Sequence, residues 1–294
     1  MNNIQIDDPA SAKKSSILVV EDVPDERVGL CRLLEHSGFS VRSAADGLEA
    51  LQQVRSESFD LLLVDVGLPR MSGLEMLSRL PDRSRPKVLV ITADHTARTV
   101  LEALREHAEK CIEKPVEPKQ LLQVVKTAME SPPIAGKIRV LSADPRFVEL
   151  SFPCDPQVAG CITDYLSEIE ADLPANVRQP AELAFREMLM NAIEWGGHLD
   201  RSSDVQVTVL RTEALLLYRI SDPGTGFDPS KLEHAAVNYP PDDPISHTEV
   251  REKSGLRPGG FGILLARSLV DELIYNEAHN EVVLVKFLKP PRAA

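Results

Sequence analysis

The stretch LLLVDVGLPRMSG, residues 61–73, opens with four apolar residues in a row and then reaches Asp65, a glycine and a proline. A short, unbroken apolar run bounded by turn residues is typical of a strand that is buried on both faces. Similar runs lie on both sides of it, namely ILVVE at 17–21, FSVRSA at 39–44, KVLVIT at 87–92 and CIEKP at 111–115. They alternate with segments of helical period that end near His36, Leu51, Leu80, His107 and Met129. The alternation predicts an α/β domain over residues 15–130, with a doubly wound, five-stranded parallel sheet.

Chemically active side chains stand where these predicted strands end. Glu21 and Asp22 follow the first strand, and Asp65 ends the third. Thr92 ends the fourth strand and Lys114 ends the fifth. Because ligands bind at the carboxyl ends of parallel strands, we expect these five side chains to converge. Three converging carboxylates repel one another unless a divalent cation such as Mg²⁺ is present, and that cation can also neutralise an incoming phosphoryl group.

At this point residues 15–130 resemble the response-regulator receiver family, which has a flavodoxin-like fold. The resemblance rests on Glu21-Asp22, VDVGLPRMSG around Asp65, Thr92-Ala93 and Lys114-Pro115. It implies that Asp65 is the nucleophile that accepts a phosphoryl group from a cognate sensor histidine kinase. It also implies that Glu21, Asp22 and Asp65 hold Mg²⁺. Thr92 and Lys114 would then bind the phosphoryl group.

The pattern of apolar residues changes after the first domain. Residues 131–146 begin with Ser-Pro-Pro and contain a glycine and a further proline, so we predict a linker there. The second domain, 147–290, combines predicted helices at 156–172, 180–195 and 262–272 with the predicted strands FVELSF, VQVTVL, LLLYRIS, 273–276 and 281–288. This order predicts an α+β sandwich with a mixed or antiparallel sheet.

Three motifs of the second domain suit a nucleotide. AELAFREMLMNAIEWG places Glu187 and Asn191 four residues apart, on one face of a helix. In SDPGTGF, Asp222 ends a strand before two glycines that permit a tight backbone path beside a ligand. RPGGFGILLARSLV places three glycines just before a helix, whose N-terminal N–H groups suit phosphates. The candidate nucleotide-binding glycines are Gly224, Gly226, Gly259, Gly260 and Gly262.

The order and separation of these motifs resemble the GHKL superfamily, which comprises gyrase, heat-shock chaperone, histidine-kinase and mismatch-repair ATPases. The resemblance implies that Asp222 bonds the adenine amino group of ATP and that Asn191 coordinates the Mg²⁺ that bridges the phosphates. The glycines within 259–262 would cradle these phosphates. Residues 228–258 would form an ATP lid, and Arg257 is a further candidate for the phosphates.

The segments around the ATP motifs indicate which kind of GHKL protein this is. An ordinary histidine kinase needs a helical hairpin with a phosphorylated histidine before the ATPase domain, and the short stretch 131–146 contains no histidine. The strand SFPCDP and the single helix before the Glu187 helix instead resemble the anti-sigma-factor serine kinases. That resemblance implies that Glu187 is the base that polarises a Ser or Thr hydroxyl for attack on the γ-phosphate. We therefore predict a two-component response regulator in which phosphorylation of Asp65 controls an ATP-dependent kinase that acts on an anti-anti-sigma (STAS-type) protein.

Two alternatives remain open. Trp195 stands four residues after Asn191, where many of these kinases have a histidine or another polar residue. This favours an ATP-binding anti-sigma factor, or another partner-sequestering module, without kinase turnover. The second alternative is a hybrid histidine kinase with an atypical phosphoacceptor. The partners implied by the resemblance are a STAS-type protein, a sigma factor or both.

Composition excludes several other classes. A formal net charge of −12 opposes a nucleic-acid partner, because binding to phosphate backbones depends on clustered Lys and Arg. The four cysteines form no C-x-x-C pair, so we interpret them as reduced thiols. No apolar stretch is long enough to span a membrane and the N-terminus has no signal-peptide pattern, so we expect a cytoplasmic protein without a membrane partner. A homodimer is the commonest soluble oligomer, and the sequence leaves the oligomeric state open.

Overall fold

The computed structural model describes residues 14–80, 85–131, 133, 136–228 and 261–289. The chain divides into two compact units, each built on its own β-sheet. Arg257, Gly259 and Gly260, together with nearly all of the predicted lid, lie outside the described residues. Of the helices in the described ranges, none combines the length and the apolar character that a membrane crossing requires.

The first unit contains a five-stranded parallel sheet with strand order β2-β1-β3-β4-β5. Its strands are β1 (Ser16–Val20), β2 (Ser40–Ala44), β3 (Leu61–Asp65), β4 (Lys87–Thr92) and β5 (Lys110–Glu113). In chain order, the helices between and after these strands are α1 (Pro24–His36), α2 (Gly47–Ser56), α3 (Gly73–Ser78), α4 (Ala97–Arg105) and α5 (Pro118–Glu130). The division of the chain by contacts groups Thr96–His107, which contains α4, with the second unit. This arrangement confirms the predicted doubly wound α/β fold.

The core of the first unit explains why the strand ends coincide. All five residues of β3 are buried, because this strand lies in the middle of the sheet and is covered on both faces. Ile17 and Leu63 from the sheet pack with Leu121 and Val125 from α5 in one apolar cluster. Burying one such side chain stabilises a fold by roughly 1.5–3 kcal/mol. These contacts hold the strands in the register that brings their carboxyl ends to one edge.

The second unit contains a six-stranded antiparallel sheet with strand order β10-β11-β9-β8-β7-β6. Its strands are β6 (Arg139–Asp144), β7 (Phe147–Pro153), β8 (Asp204–Arg211), β9 (Leu215–Ser221), β10 (Glu272–Tyr275) and β11 (Glu281–Phe287). The helices described here are α6 (Pro156–Ile169), α7 (Ala175–Asn191) and α8 (Gly262–Leu269), and a π-helical segment, Ala192–Gly196, continues α7. The predicted α+β sandwich is confirmed, with a sheet that is antiparallel throughout its described strands.

Residue alternation in β9 shows how the second sheet meets its helices. Leu216, Tyr218 and Ile220 are buried, whereas the residues between them are partly exposed. The ring of Tyr218 lies 4.8 Å from that of Phe185 on α7, measured between centroids. One face of the sheet therefore packs against the helices, and α7 also packs against α8.

The structure differs from the sequence-based expectation at three element boundaries. β6 lies inside the predicted linker, 131–146, and pairs with β7. It is an edge strand, so its residues stay partly exposed (Leu141 is 55% exposed) and show little apolar alternation. Helix α7 begins at Ala175, which places Pro180 inside the helix rather than at its start. Helix α8 ends at Leu269, so the predicted helix 262–272 is too long.

Candidate functional sites

The carboxylates predicted at the strand ends meet at one edge of the parallel sheet. Glu21 and Asp22 directly follow β1, and Asp65 is the last residue of β3. One carboxylate oxygen from each lies within 4.8 Å of the others. Lys114 Nζ lies 2.7 Å from Asp65 Oδ2 and 2.8 Å from Glu21 Oε2. The predicted acids and the predicted lysine are therefore in one cluster.

Thr92 joins the cluster through the backbone. Its carbonyl accepts a hydrogen bond from the N–H of Lys114 at 2.8 Å. Its hydroxyl, Oγ1, accepts the N–H of Asp94 at 3.0 Å, and the residue is buried. The peptide bond between Lys114 and Pro115 is cis. All five residues predicted for this edge are thus brought together.

The electrostatics of the cluster favour a bound cation. Burial raises the pKa of Glu21, and the neighbouring charge of Asp65 raises it further. Burial also acts to lower the pKa of Lys114, but hydrogen bonds from its ammonium to Asp65, Glu21 and Glu26 outweigh burial, so this pKa is raised. One ammonium offsets only part of the repulsion among three carboxylates. Their oxygens are the ligand type and spacing that suit Mg²⁺.

Two residues that position Asp65 were missed by the sequence reasoning. The N–H of Gly67 donates to Asp65 Oδ1 at 3.0 Å and fixes one side of the carboxylate. A Cβ atom added at Gly73 would overlap the carbonyl oxygen of Asp65. Only glycine lets α3 begin this close to the end of β3. The MSG motif after the acid was the available signal for Gly73.

A cavity of about 870 Å³ in the second unit lies beside α7, β9 and α8. Its volume is in the range of small-molecule and cofactor sites. Every predicted nucleotide-site residue that lies in the described ranges lines it, namely Glu187, Asn191, Asp222, Gly224, Gly226 and Gly262. The motifs that are far apart in the sequence therefore belong to one cavity.

The N-terminus of α8 faces the Glu187–Asn191 pair of α7. A Cβ atom added at Gly262, the first residue of α8, would lie 3.0 Å from Glu187 Oε2 and 3.4 Å from Asn191 Nδ2. A carboxylate, an amide and a helix N-terminus thus meet at one end of the cavity. Helix N-termini suit anionic groups, because their N–H groups are unpaired and the helix dipole is positive there.

Asp222 lies at another part of the cavity and is held by glycines. Its Oδ1 accepts the N–H of Gly224 at 2.8 Å, and burial raises its pKa. A Cβ atom at Gly196 would overlap the carboxylate of Asp222. The π-helical segment can therefore lie this close to Asp222 only if its last residue is glycine. The sequence reasoning missed Gly196, although the Trp-Gly-Gly run marks it.

The turn between β10 and β11 holds the loop that follows Asp222. The N–H of Asp222 donates to the carbonyl of Asn280 at 3.0 Å, and Asn280 Nδ2 donates to the carbonyl of Gly224 at 3.0 Å. Gly226 has a φ of 84°, a left-handed conformation that favours glycine. Three aromatic rings line the cavity here with centroids 5.2 to 5.6 Å apart, namely Phe227, Tyr275 and His279. These three rings come together only through the register of the sheet, so the sequence motifs did not predict that they line the cavity.

Comparison with known families matches both units. Residues 17–126 match the response regulator receiver domain, and residues 152–286 match the histidine kinase-like ATPase domain. The chain belongs to the response regulators, and a GHKL-type ATPase domain follows its receiver domain. A receiver domain implies a phosphodonor sensor kinase as partner, and a GHKL-type domain implies ATP binding, usually with Mg²⁺.

Individual relatives cover parts of the chain. The phosphate regulon transcriptional regulatory protein PhoB from Escherichia coli is 30% identical over 206 residues, which are 66% of this chain and 87% of that protein. A putative transcriptional regulator from Pseudomonas aeruginosa is 35% identical over 117 residues, 39% of this chain and 56% of that protein, so the chain spans about half the length of this relative. A solved receiver domain protein from Methanospirillum hungatei is 29% identical, with 40% of this chain and 94% of that chain covered and a TM-score of 0.37.

Proposed function

We propose that this chain is a two-component response regulator whose phosphorylation at Asp65 controls a C-terminal, ATP-dependent serine/threonine kinase. The proposed substrate is an anti-anti-sigma (STAS-type) protein. The phosphoryl donor for Asp65 is a cognate sensor histidine kinase. Support comes from the two matched domains and from the side chains at the two sites.

In the receiver domain, Asp65 acts as the nucleophile. One of its carboxylate oxygens forms the new bond to phosphorus while the bond from phosphorus to the donor breaks. Glu21 and Asp22, with Asp65, would hold Mg²⁺, which supplies positive charge against the phosphoryl oxygens when it is bound. Lys114 adds an ammonium to the same place, and Thr92 contributes a hydroxyl.

In the ATPase domain, the proposed kinase activity depends chiefly on one observation. Glu187, Asn191 and the first residue of α8 lie together at one end of the cavity. Glu187 would accept the proton of the substrate hydroxyl, Asn191 would hold Mg²⁺, and the α8 N-terminus would bind phosphate oxygens. Asp222, which the glycines hold in place, would accept a hydrogen bond from the adenine amino group.

The open position of Trp195 supports a second candidate function. The residue lines the cavity and is 42% exposed, so it presents apolar surface at the cavity. An exposed aromatic side chain is typical of protein interfaces. In this alternative the domain binds ATP and sequesters a partner without transferring phosphate to it.

Incubation with γ-labelled ATP, Mg²⁺ and a panel of purified STAS-type proteins tests the proposal. We expect acid-stable label on one of these proteins, as phosphoserine or phosphothreonine. No label on any of them, together with ATP binding measured by calorimetry, would contradict the kinase and support the sequestering module. Acid-labile label on this chain that persists in Asp65→Asn would instead indicate the atypical histidine kinase.

A further inference from the structure

Lys114 has a third carboxylate partner that does not belong to the predicted site. Glu26 Oε2, in the first turn of α1, lies 2.9 Å from Lys114 Nζ. The other two partners, Asp65 and Glu21, lie at 2.7 and 2.8 Å. An ammonium group has three N–H donors, so these three carboxylates occupy all of them.

Glu26 differs from the other two partners in its surroundings. Glu21 and Asp65 are buried members of the carboxylate cluster, whereas the Glu26 side chain is 51% exposed and lies outside that cluster. The Lys114 side chain is only 17% exposed. Lys114 is therefore held between the buried cluster and a carboxylate at the surface. Neighbouring Arg27 does not neutralise Glu26 directly in the described contacts, since its Nη1 donates to the carbonyls of Glu21 and Asp22.

We infer that Glu26 is a positioning residue that restrains the phosphorylation of Asp65 by holding Lys114. This inference rests on the proposed function of Asp65 as the phosphoacceptor. With an acyl phosphate donor, an Asp65 oxygen forms the bond to phosphorus, the bond from phosphorus to the acyl oxygen breaks, and the electron pair leaves with the donor carboxylate. In the proposed function, the ammonium of Lys114 binds the phosphoryl oxygens during this step.

Glu26 opposes the step in two ways. Its carboxylate competes with the phosphoryl oxygens for an N–H donor of Lys114. Its negative charge also reduces the attraction between this edge of the sheet and an anionic donor. Because Glu26 is half exposed, solvent screens the pair, and the expected effect of removing its charge is about two- to fivefold.

The test compares Glu26→Gln, which removes the charge, with Glu26→Asp, which keeps it on a shorter side chain. Asp25→Asn is the matched control, because Asp25 is an exposed acid in the same helical turn. The full chain is incubated with acetyl phosphate and Mg²⁺, and the formation and decay of phosphorylated Asp65 are followed. Binding of beryllofluoride, a phosphoryl mimic, is measured in parallel by ¹⁹F NMR.

For Glu26→Gln we expect phosphorylation about two- to fivefold faster, with a lower KM for acetyl phosphate and correspondingly tighter beryllofluoride binding. The phosphorylation rate and beryllofluoride affinity of Glu26→Asp should remain closer to those of the wild type than to those of Glu26→Gln. If Glu26→Gln behaves like Asp25→Asn in both assays, the inference is wrong while the function of Asp65 stands. If the wild type takes up neither a phosphoryl group nor beryllofluoride, the proposed function of Asp65 fails and the inference fails with it.

Discussion

Replacement of Glu187 by glutamine is expected to slow phosphoryl transfer to the partner protein by about 100- to 10,000-fold, the usual contribution of a general base. Glutamine keeps the size of the side chain but cannot accept the proton of the substrate hydroxyl. Because Asn191, Asp222 and Gly262 are unchanged, ATP affinity should stay within about twofold of the wild type. Initial rates of acid-stable labelling and calorimetric ATP binding measure the two quantities separately.

Glu194→Gln is the matched control for this variant. Glu194 lies just beyond α7, and it is not among the described residues that line the cavity. We expect the Glu194→Gln variant to keep both the wild-type rate of phosphoryl transfer and the wild-type affinity for ATP. Transfer by Glu187→Gln at the wild-type rate would exclude Glu187 as the base. A parallel loss of ATP affinity would show instead that Glu187 acts in nucleotide binding.

The second prediction concerns the stability of the second unit, which contains a buried carboxyl group. Glu170 follows α6 and is almost fully buried, and the hydroxyl of Tyr218 donates to its Oε2 at 2.5 Å. Within the described part of the chain, its Oε1 has no hydrogen-bond partner. Burial raises the pKa of Glu170 to about 7, although Tyr218, Arg211 and Arg178 act to lower it and Glu182 adds to the rise.

This raised pKa makes the stability of the second unit depend on pH. The unfolded chain releases the Glu170 proton near the ordinary glutamate pKa of 4.5, whereas the folded unit keeps it up to about pH 7. The folded state therefore binds more protons between these values, and the free energy of unfolding falls as pH rises through that window. The loss from this one group is on the order of 3 kcal/mol, since each pKa unit corresponds to about 1.4 kcal/mol.

Glu170→Gln is expected to remove this pH dependence and to stabilise the unit near pH 8 by up to about 3 kcal/mol. The amide still accepts the hydrogen bond from Tyr218 but cannot ionise. Urea unfolding between about pH 5 and pH 8 tests this, with fluorescence of Trp195, the single tryptophan of the chain, as the probe. The exposed Glu277→Gln serves as control. If the free energy of unfolding of Glu170→Gln falls with pH as steeply as that of the wild type, another group titrates in this window.

The receiver fold and its site could be predicted from the sequence, because local patterns determine both. Continuous apolar runs mark buried parallel strands, and the candidate site residues Asp22, Asp65 and Lys114 stand where those runs end. The contact between Glu26 and Lys114 could not be predicted in this way. These residues are 88 positions apart, and only the packing of α1 against the sheet edge places them together.

Less of the ATPase domain could be predicted from the sequence, because more of its features depend on contacts between residues that are far apart in the chain. Its motifs predicted the residues that line the cavity, since each motif is short and local. The edge strand β6 was missed because partial exposure removes the apolar alternation. The pairing of Glu170 with Tyr218 and the contact of Gly196 with Asp222 depend on how helices meet the sheet, which no local pattern encodes.

The most direct test of the central claim is the rate of acid-stable labelling of a STAS-type partner by the full chain, with and without prior phosphorylation by acetyl phosphate. Couplings between two sites typically change a binding equilibrium by about 5- to 150-fold, and we expect a change in rate of at least about fivefold. Acetyl phosphate should leave the rate at which the Asp65→Asn variant labels the partner unchanged. An equal rate in the wild type with and without phosphorylated Asp65 would contradict control of the kinase by the receiver domain.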